Sequence, residues 1–395
     1  MPWMLSREKW PRLTFWKAIF GVIVAVGLYA TWLRFSKGLG AATNLNDEFP
    51  WGLWVGFDVL CGVMLAAGGF TLTAAVYIFN AERFRPIVRP TVLTAFLGYV
   101  LVVVALLYDL GRSYRIWHPL VMWNPRSVMF EVAWCVMLYT TVLALEFAPV
   151  VFERLRLERP RRILRGISLP LVILGVILST LHQSSLGSLY LIVPEKLHPL
   201  WYTPLLPVLF FLSAIGIGLA MTIFESSLSA RYFQRQLELP LLRELGRFLV
   251  VVLAVYGVLR IQDLYHRDAL RFVLEPGYAS SLFLIEVVLG LALPIALLLN
   301  PRVRARAGGL YLSSVLVVLG FITNRLNVSI TGFEAATGAT YVPRWTEIAI
   351  TAMIIAVGFA VFSLAVKYLP IFSTESPAAL PAAPAASGRF HHVRA

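Results

Sequence analysis

The sequence predicts an all-α integral membrane protein of about ten transmembrane helices, and three observations carry that reading. Hydrophobic residues make up 59% of the 395 positions, charged residues only 14%, and mean hydropathy is +0.77, too apolar a chain for one soluble core. Ten stretches of at least 18 mostly apolar residues follow one another, each long enough to cross a bilayer. The basic residues alternate from loop to loop: 23 of the 34 Lys/Arg fall in the N-terminus, the even-numbered loops and the C-terminus. The net charge of +13 is therefore topological and does not describe a nucleic-acid groove. Both termini are expected in the cytoplasm of a bacterial inner membrane.

The first span, near 15–35, is too long for a signal-peptide core and lacks a small-x-small cleavage site, so it reads as a retained helix. The second, 51–79, opens at Pro50 and carries Asp58. The third, 90–110, is closed by Asp109 with Arg112 beyond it, and Tyr99 lies about 15 Å inward from that end. The fourth, 128–152, carries Glu131 and Glu146, about 22 Å apart along the axis and about 60° apart around it. One face thus holds acid near both membrane surfaces with Tyr139 between, which suits a proton relay. The basic loop RLRLERPRRILR, 154–165, leads to the fifth span, 166–187.

That fifth helix ends in STLHQSSLGSL, 179–189, an unusual density of polar groups for a segment that must satisfy each of them without water. His182 and Gln183 are placed at the outer membrane face within a polar collar. The plainer alternative is a helix end whose hydroxyls bond preceding carbonyls, with Gly187 as C-cap. The sixth span, 204–228, opens at Pro204, carries Glu225, and contains GIGLAM, whose glycines read as close helix packing. The remaining spans lie near 247–265, 280–299 with Glu286, 308–327 and 346–369. An unpaired carboxylate inside any of these is costly and marks a polar path or a charge pair. The Ala/Pro-rich tail, 370–395, reads as disordered.

An internal echo runs through the chain. Pro50 and Pro204, and Asp109 and Asp263, are each 154 apart, and SVMFEV resembles SLFLIEV so that Glu131 and Glu286 correspond. Four helices per unit give two units of the same orientation. The expected divisions are a cytoplasmic N-terminus, 1–14, a first four-helix bundle, 15–152, a second, 166–300, a C-terminal helix pair, 308–369, and the tail.

Eight of the eleven tryptophans, Trp32, Trp51, Trp54, Trp117, Trp123, Trp134, Trp201 and Trp345, fall at or near the outer side and read mostly as an interfacial belt. The outer loops 115–125 and 191–204 are aromatic, proline-rich and poor in charge, which suits a partner protein. Two cysteines, Cys61 and Cys135, exclude a four-thiolate iron–sulfur site within the chain. There is no HExxH and no thiolate cluster, so no metal site is expected. Of six histidines only His182 lies inside a span; two stacked haems lack ligands, and a single one would have to join His182 to His266.

FPWGLWVGFDVLCGVMLAAGGF (49–70), FNAERFRPIVRP (79–90), ALEFAPVVFERL (144–155), LHQSSLGSL (181–189) and KLHPLW (196–201) together resemble the HybB-type membrane subunit of respiratory nickel–iron hydrogenases, within the wider NrfD and polysulfide-reductase membrane-subunit family. The resemblance implies two four-helix bundles and a site for menaquinone or ubiquinone near the outer face, with no haem. Electrons would come from an external iron–sulfur, ferredoxin-like subunit fed by hydrogenase large and small subunits, so the hydrogen-activating centre lies in another chain. Glu131 matches the family's proton-handling glutamate and Tyr99 the tyrosine near the quinone head. Asp58, Asp109, Arg112, His182 and Gln183 match polar positions without an assigned step. The loop 112–125 departs from the family pattern and leaves the outer partner open. Two alternatives stand beside this reading: an NrfD-type subunit serving a polysulfide, nitrite or multihaem cytochrome donor, and a proton-coupled secondary transporter, against which the parallel repeat and the outer placement of polar residues argue.

Overall fold

The computed structural model describes residues 15–372; the expected N-terminal segment and nearly all of the Ala/Pro-rich tail lie outside the described residues. Within them the chain is helical with no strand, and ten helices are long and apolar enough to cross a membrane. These are α1 (Phe15–Lys37), α2 (Trp54–Ile78), α3 (Glu82–Asp109), α4 (Val128–Leu155), α5 (Ser168–Ile192), α6 (Leu206–Tyr232), α7 (Leu239–His266), α8 (Tyr278–Leu299), α9 (Ala307–Thr337) and α10 (Trp345–Tyr368). Each answers one span read from the sequence. Successive helices run in opposite directions, so one end of the molecule gathers the arginine-rich connections and the other the charge-poor ones.

Two helices run well beyond their apolar stretches. α3 starts eight residues earlier than expected because Pro86 sits in the first turn, where a missing N–H costs nothing. α9 runs ten residues further than expected, through VSITGFEAAT, by means of a wide turn over Asn327–Thr331. Similar wide turns occupy Trp54–Cys61 and Ala74–Ile78 of α2 and Val288–Ala292 of α8.

The helices form two rings of neighbours. α2, α3, α4 and α5 close one, and α6, α7, α8 and α9 the other, with α6 lying against α2 and α5 between them. α1 packs along α10, and α10 along α3. The neighbours therefore do not follow chain order as the divisions 15–152, 166–300 and 308–369 do: α1 lies outside the ring α2–α5, against α10 and the end of α3, and α9 joins α6–α8 rather than α10. Close approach of small residues permits this. Gly218 of α6 meets the backbone of Ala67, where a Cβ would lie 2.9 Å from the carbonyl, and Gly290 of α8 faces Gly320 of α9 backbone to backbone. The packing role read for GIGLAM is what Gly218 performs.

α2 is interrupted in mid-membrane. Between Leu65 and Gly68 the helical ladder is lost: Ala67 N turns to Met64 O, three residues back, and Ala66 takes ψ −4. The expectation that polar irregularity concentrates at the outer end thus misses a break in the middle of the bundle, for which the run AAGG was the available signal. The tryptophan belt also needs division. Trp32, Trp117, Trp123 and Trp345 are largely exposed, as an interfacial belt requires, whereas Trp54 and Trp201 are fully buried and use their indole N–H groups inside the protein.

Candidate functional site

The first ring converges on a small set of buried polar side chains. α3 presents Tyr99, α4 presents Tyr139 and α5 presents His182, all at 0–1% exposure. The two tyrosine rings meet edge to face at 4.7 Å between centroids, and the His182 ring lies 5.7 Å from that of Tyr99. Ser179, one turn from His182 on the same face of α5, lies beside both phenols.

Ser179 and Gln183 approach the Tyr99 hydroxyl, and Ser179 and the Phe70 backbone that of Tyr139, but none of these groups makes a hydrogen bond of full geometry. Tyr99 Oη, Tyr139 Oη, Ser179 Oγ and both His182 ring nitrogens are buried and unsatisfied. An unmade hydrogen bond at a buried polar atom costs on the order of 1–3 kcal/mol, and native proteins keep such atoms rare. Five such atoms cluster in one place in the first ring.

The rest of the polar collar on α5 divides in two. Thr180, Ser184 and Ser188 donate to the carbonyls of Val176, Thr180 and Ser184, the ordinary chemistry of hydroxyls inside a helix. Gly187 is no C-cap: the helix continues to Leu189, and Gly187 lets α6 approach so closely that a Cβ would lie 2.8 Å from Leu206 and Pro207 backbone. Gln183 donates from Nε2 to Val63 O at 3.1 Å, tying α5 to the interrupted stretch of α2.

Glu131 stands one turn nearer the charge-poor end, exposed at the start of α4, where its charge also complements the helix dipole. Ser185 Oγ donates to Glu131 Oε1 at 2.6 Å, and Ser185 lies three residues from His182, so this bond joins the acid to the His182 face of α5. Glu146 lies further along α4. A Cβ at Gly175 of α5 would be 3.4 Å from Glu146 Oε1 and 3.5 Å from the Tyr139 ring, so the acid and the phenol border the same strip of α5.

The other residues singled out in the sequence have their contacts elsewhere. Asp58, buried on α2, accepts from Thr351 Oγ1 of α10 at 2.6 Å. Asp109 faces Arg34 of α1, whose guanidinium also donates to Tyr108 O and Leu110 O, each at 2.7 Å. Arg112 is exposed beyond the end of α3.

Sequence reasoning missed two networks. At the charge-poor end, Glu347 is fully buried and accepts from Asn44 N at 3.2 Å, Arg344 N at 2.8 Å and Tyr341 Oη, while burial raises the Tyr341 phenol above its usual range. In the second ring, Glu286 accepts from Asn324 Nδ2 at 2.7 Å, Trp201 Nε1 at 2.9 Å and Asn327 Nδ2 at 2.9 Å. Arg325, 1% exposed, completes it by donating to Asn324 Oδ1 at 2.7 Å and Ser213 Oγ at 2.6 Å, with its guanidinium 3.6 Å above the Phe210 ring. The NVS sequence at 327 is thus an internal structural element. No group of three or more metal-ligating side chains occurs among the described residues.

Comparison with known proteins agrees with this architecture. The family model described as polysulphide reductase, NrfD, matches residues 41–336. The chain is 36% identical over 358 residues to the probable Ni/Fe-hydrogenase 2 b-type cytochrome subunit of Escherichia coli K12, covering 89% of this chain and 91% of that one. It is 29% identical over 392 residues to the menaquinone reductase integral membrane subunit of Nitratidesulfovibrio vulgaris Hildenborough, covering 91% and 92%. Another protein of that bacterium is 42% identical over 363 residues, covering 89% and 93%. With ten membrane helices and a family match across most of its length, the chain belongs to the NrfD polysulphide reductase family.

Proposed function

We propose that this protein is the quinone-reactive membrane subunit of a hydrogenase-type respiratory complex, taking electrons from an external iron–sulfur protein to menaquinone or ubiquinone. The observation that carries the reading is the set of unsatisfied polar atoms on Tyr99, Tyr139, Ser179 and His182. A quinone head group offers two carbonyl acceptors, and on reduction two hydroxyl donors. The phenols suit the first state, and a His182 nitrogen suits the second. The relative named for menaquinone reductase supports the same class of substrate, and the one named for Ni/Fe-hydrogenase the same class of complex.

Reduction of a quinone takes two electrons and two protons. Glu131 is the proposed proton donor, aimed at α5 by Ser185 and reloaded from the charge-poor end, where it is exposed. Glu146 and Tyr139 form a second proposed route from the arginine-rich end. That end is proposed to be cytoplasmic, on the alternation of basic loops. The two helix rings, α2–α5 and α6–α9, are proposed as the units of the internal repeat. The chain is also proposed to work without haem: among the described histidines only His182 lies well inside a membrane helix, and its nearest ring is Tyr99 rather than a second imidazole.

The test is donor-driven quinone reduction by the purified complex. Glu131→Gln should lower turnover about 10²-fold, the usual worth of a positioned acid, with little change in apparent quinone affinity. A variant that retains full turnover removes Glu131 from the mechanism.

A further inference from the structure

A buried acid lies toward the opposite end of the protein. Glu225, on α6 about two turns in from the arginine-rich end, keeps Oε1 buried without a hydrogen-bond partner. Across from it on α3, the likewise buried Thr94 hydroxyl approaches the acid without a hydrogen bond of full geometry. Glu225 borders a cleft with about 60 Å³ of open space, room for a few water molecules. Ser226 and Ser229 of α6, with Gln236 and Glu238 of the 233–238 connection, give the cleft a polar lining.

The wall contributed by α3 is Pro86, Ile87 and Pro90, and that by α7 is Leu242, so neither places a charge in the cleft. The charged groups that share it are Arg235 and Glu238, both at its mouth, where the Arg235 guanidinium also lies 3.9 Å over the Phe372 ring. Beyond Glu225, α6 leads through Thr222 to the interruption in α2: a Cβ at Gly68 would lie 3.2 Å from Thr222 Oγ1, and one at Gly69 would lie 3.7 Å from Tyr139 Oη. The acid therefore stands between a polar inlet and the polar centre of the first ring.

We propose that Glu225 is a proton-loading site fed by water through this cleft from the arginine-rich end. A hydronium ion in the cleft gives its proton to the carboxylate, leaving water and a neutral carboxylic acid whose O–H can donate to Thr94 Oγ1. The reverse step returns the proton to water. Its use in turnover rests on the proposed quinone chemistry, but the loading itself does not.

The test is infrared spectroscopy of the purified protein in lipid vesicles, moved from H2O to D2O. The account expects a protonated-carboxyl band that shifts on exchange with bulk solvent, is lost in Glu225→Gln and returns in Glu225→Asp. A Ser229→Leu change, which fills the cleft, should slow the shift without removing the band. Identical carboxyl bands in wild type and Glu225→Gln overturn the proposal, as does a band that exchanges equally fast in Ser229→Leu. Quinone reduction measured on the same samples reports separately on the quinone reading.

Discussion

Glu131 and Glu286 stand 155 residues apart at corresponding places in α4 and α8, and their surroundings are opposite. Glu286 is 5% exposed and holds three donors from Trp201, Asn324 and Asn327, with Arg325 one residue further along the network. Glu131 is exposed and holds one donor, Ser185, beside a group of buried atoms that hold none. The neighbouring acids repeat the contrast. Asp263 accepts from Thr203 at 2.5 Å and from Arg267 at 2.7 Å, whereas Asp109 looks to Arg34 on a different helix. Around Glu286 the polar groups are turned on one another, whereas around Glu131 several are left open. Satisfied networks hold a fold in one arrangement; open ones are places for a ligand.

That contrast predicts opposite responses to mutation. The largest effect should come from Glu286→Leu. It strands three buried donors and leaves the Arg325 charge without its acid, and the loss of one member of a buried pair is worth roughly 3–5 kcal/mol. Thermal unfolding in detergent should show a large fall in midpoint; a midpoint near that of wild type means the network is not structural. Next is Gly187→Ala, which should part α5 from α6 and cost about 1–3 kcal/mol as overpacking, read in the same assay. An unchanged midpoint there would show that the helices yield without penalty.

The smallest effect is a pH dependence outside the membrane. Burial lowers the His198 imidazole below its usual range, with Glu275 opposing, and its Nδ1 accepts from Leu200 N at 3.3 Å. The unfolded chain therefore binds the proton more readily than the folded one. Stability is fully present above the unfolded value of about 6.5 and declines as pH falls through it toward the lower folded value. His198→Gln should flatten that part of the stability profile. A profile that keeps its slope in the variant assigns the dependence to another group.

The spans and the polar run of α5 were legible because hydropathy and a dense group of polar residues are local signals. The sequence also marked Tyr99, Tyr139 and His182 as polar groups in membrane helices, but their convergence depends on α3, α4 and α5 sharing one ring, which no local pattern states. The Glu286 network escaped because its donors come from separate parts of the chain, Asn324 and Asn327 of α9 and Trp201 of the connection before α6, whose meeting no local pattern states. Asp58 was legible as an acid inside a span and Asp109 as one at a helix end. Their partners, Thr351 and Arg34, come from α10 and α1, helices that meet only in three dimensions.

The central claim is that the unsatisfied atoms of the first ring form the quinone site, and Tyr99→Phe tests it most directly through thermal unfolding with and without a soluble menaquinone analogue. Removing a buried hydroxyl that makes no hydrogen bond of full geometry should leave the midpoint without analogue unchanged or raised, since such a group costs on the order of 1–3 kcal/mol when buried. The analogue should stabilise the wild type by mass action and stabilise the variant much less. An analogue-induced shift of the same size in both proteins would contradict the assignment.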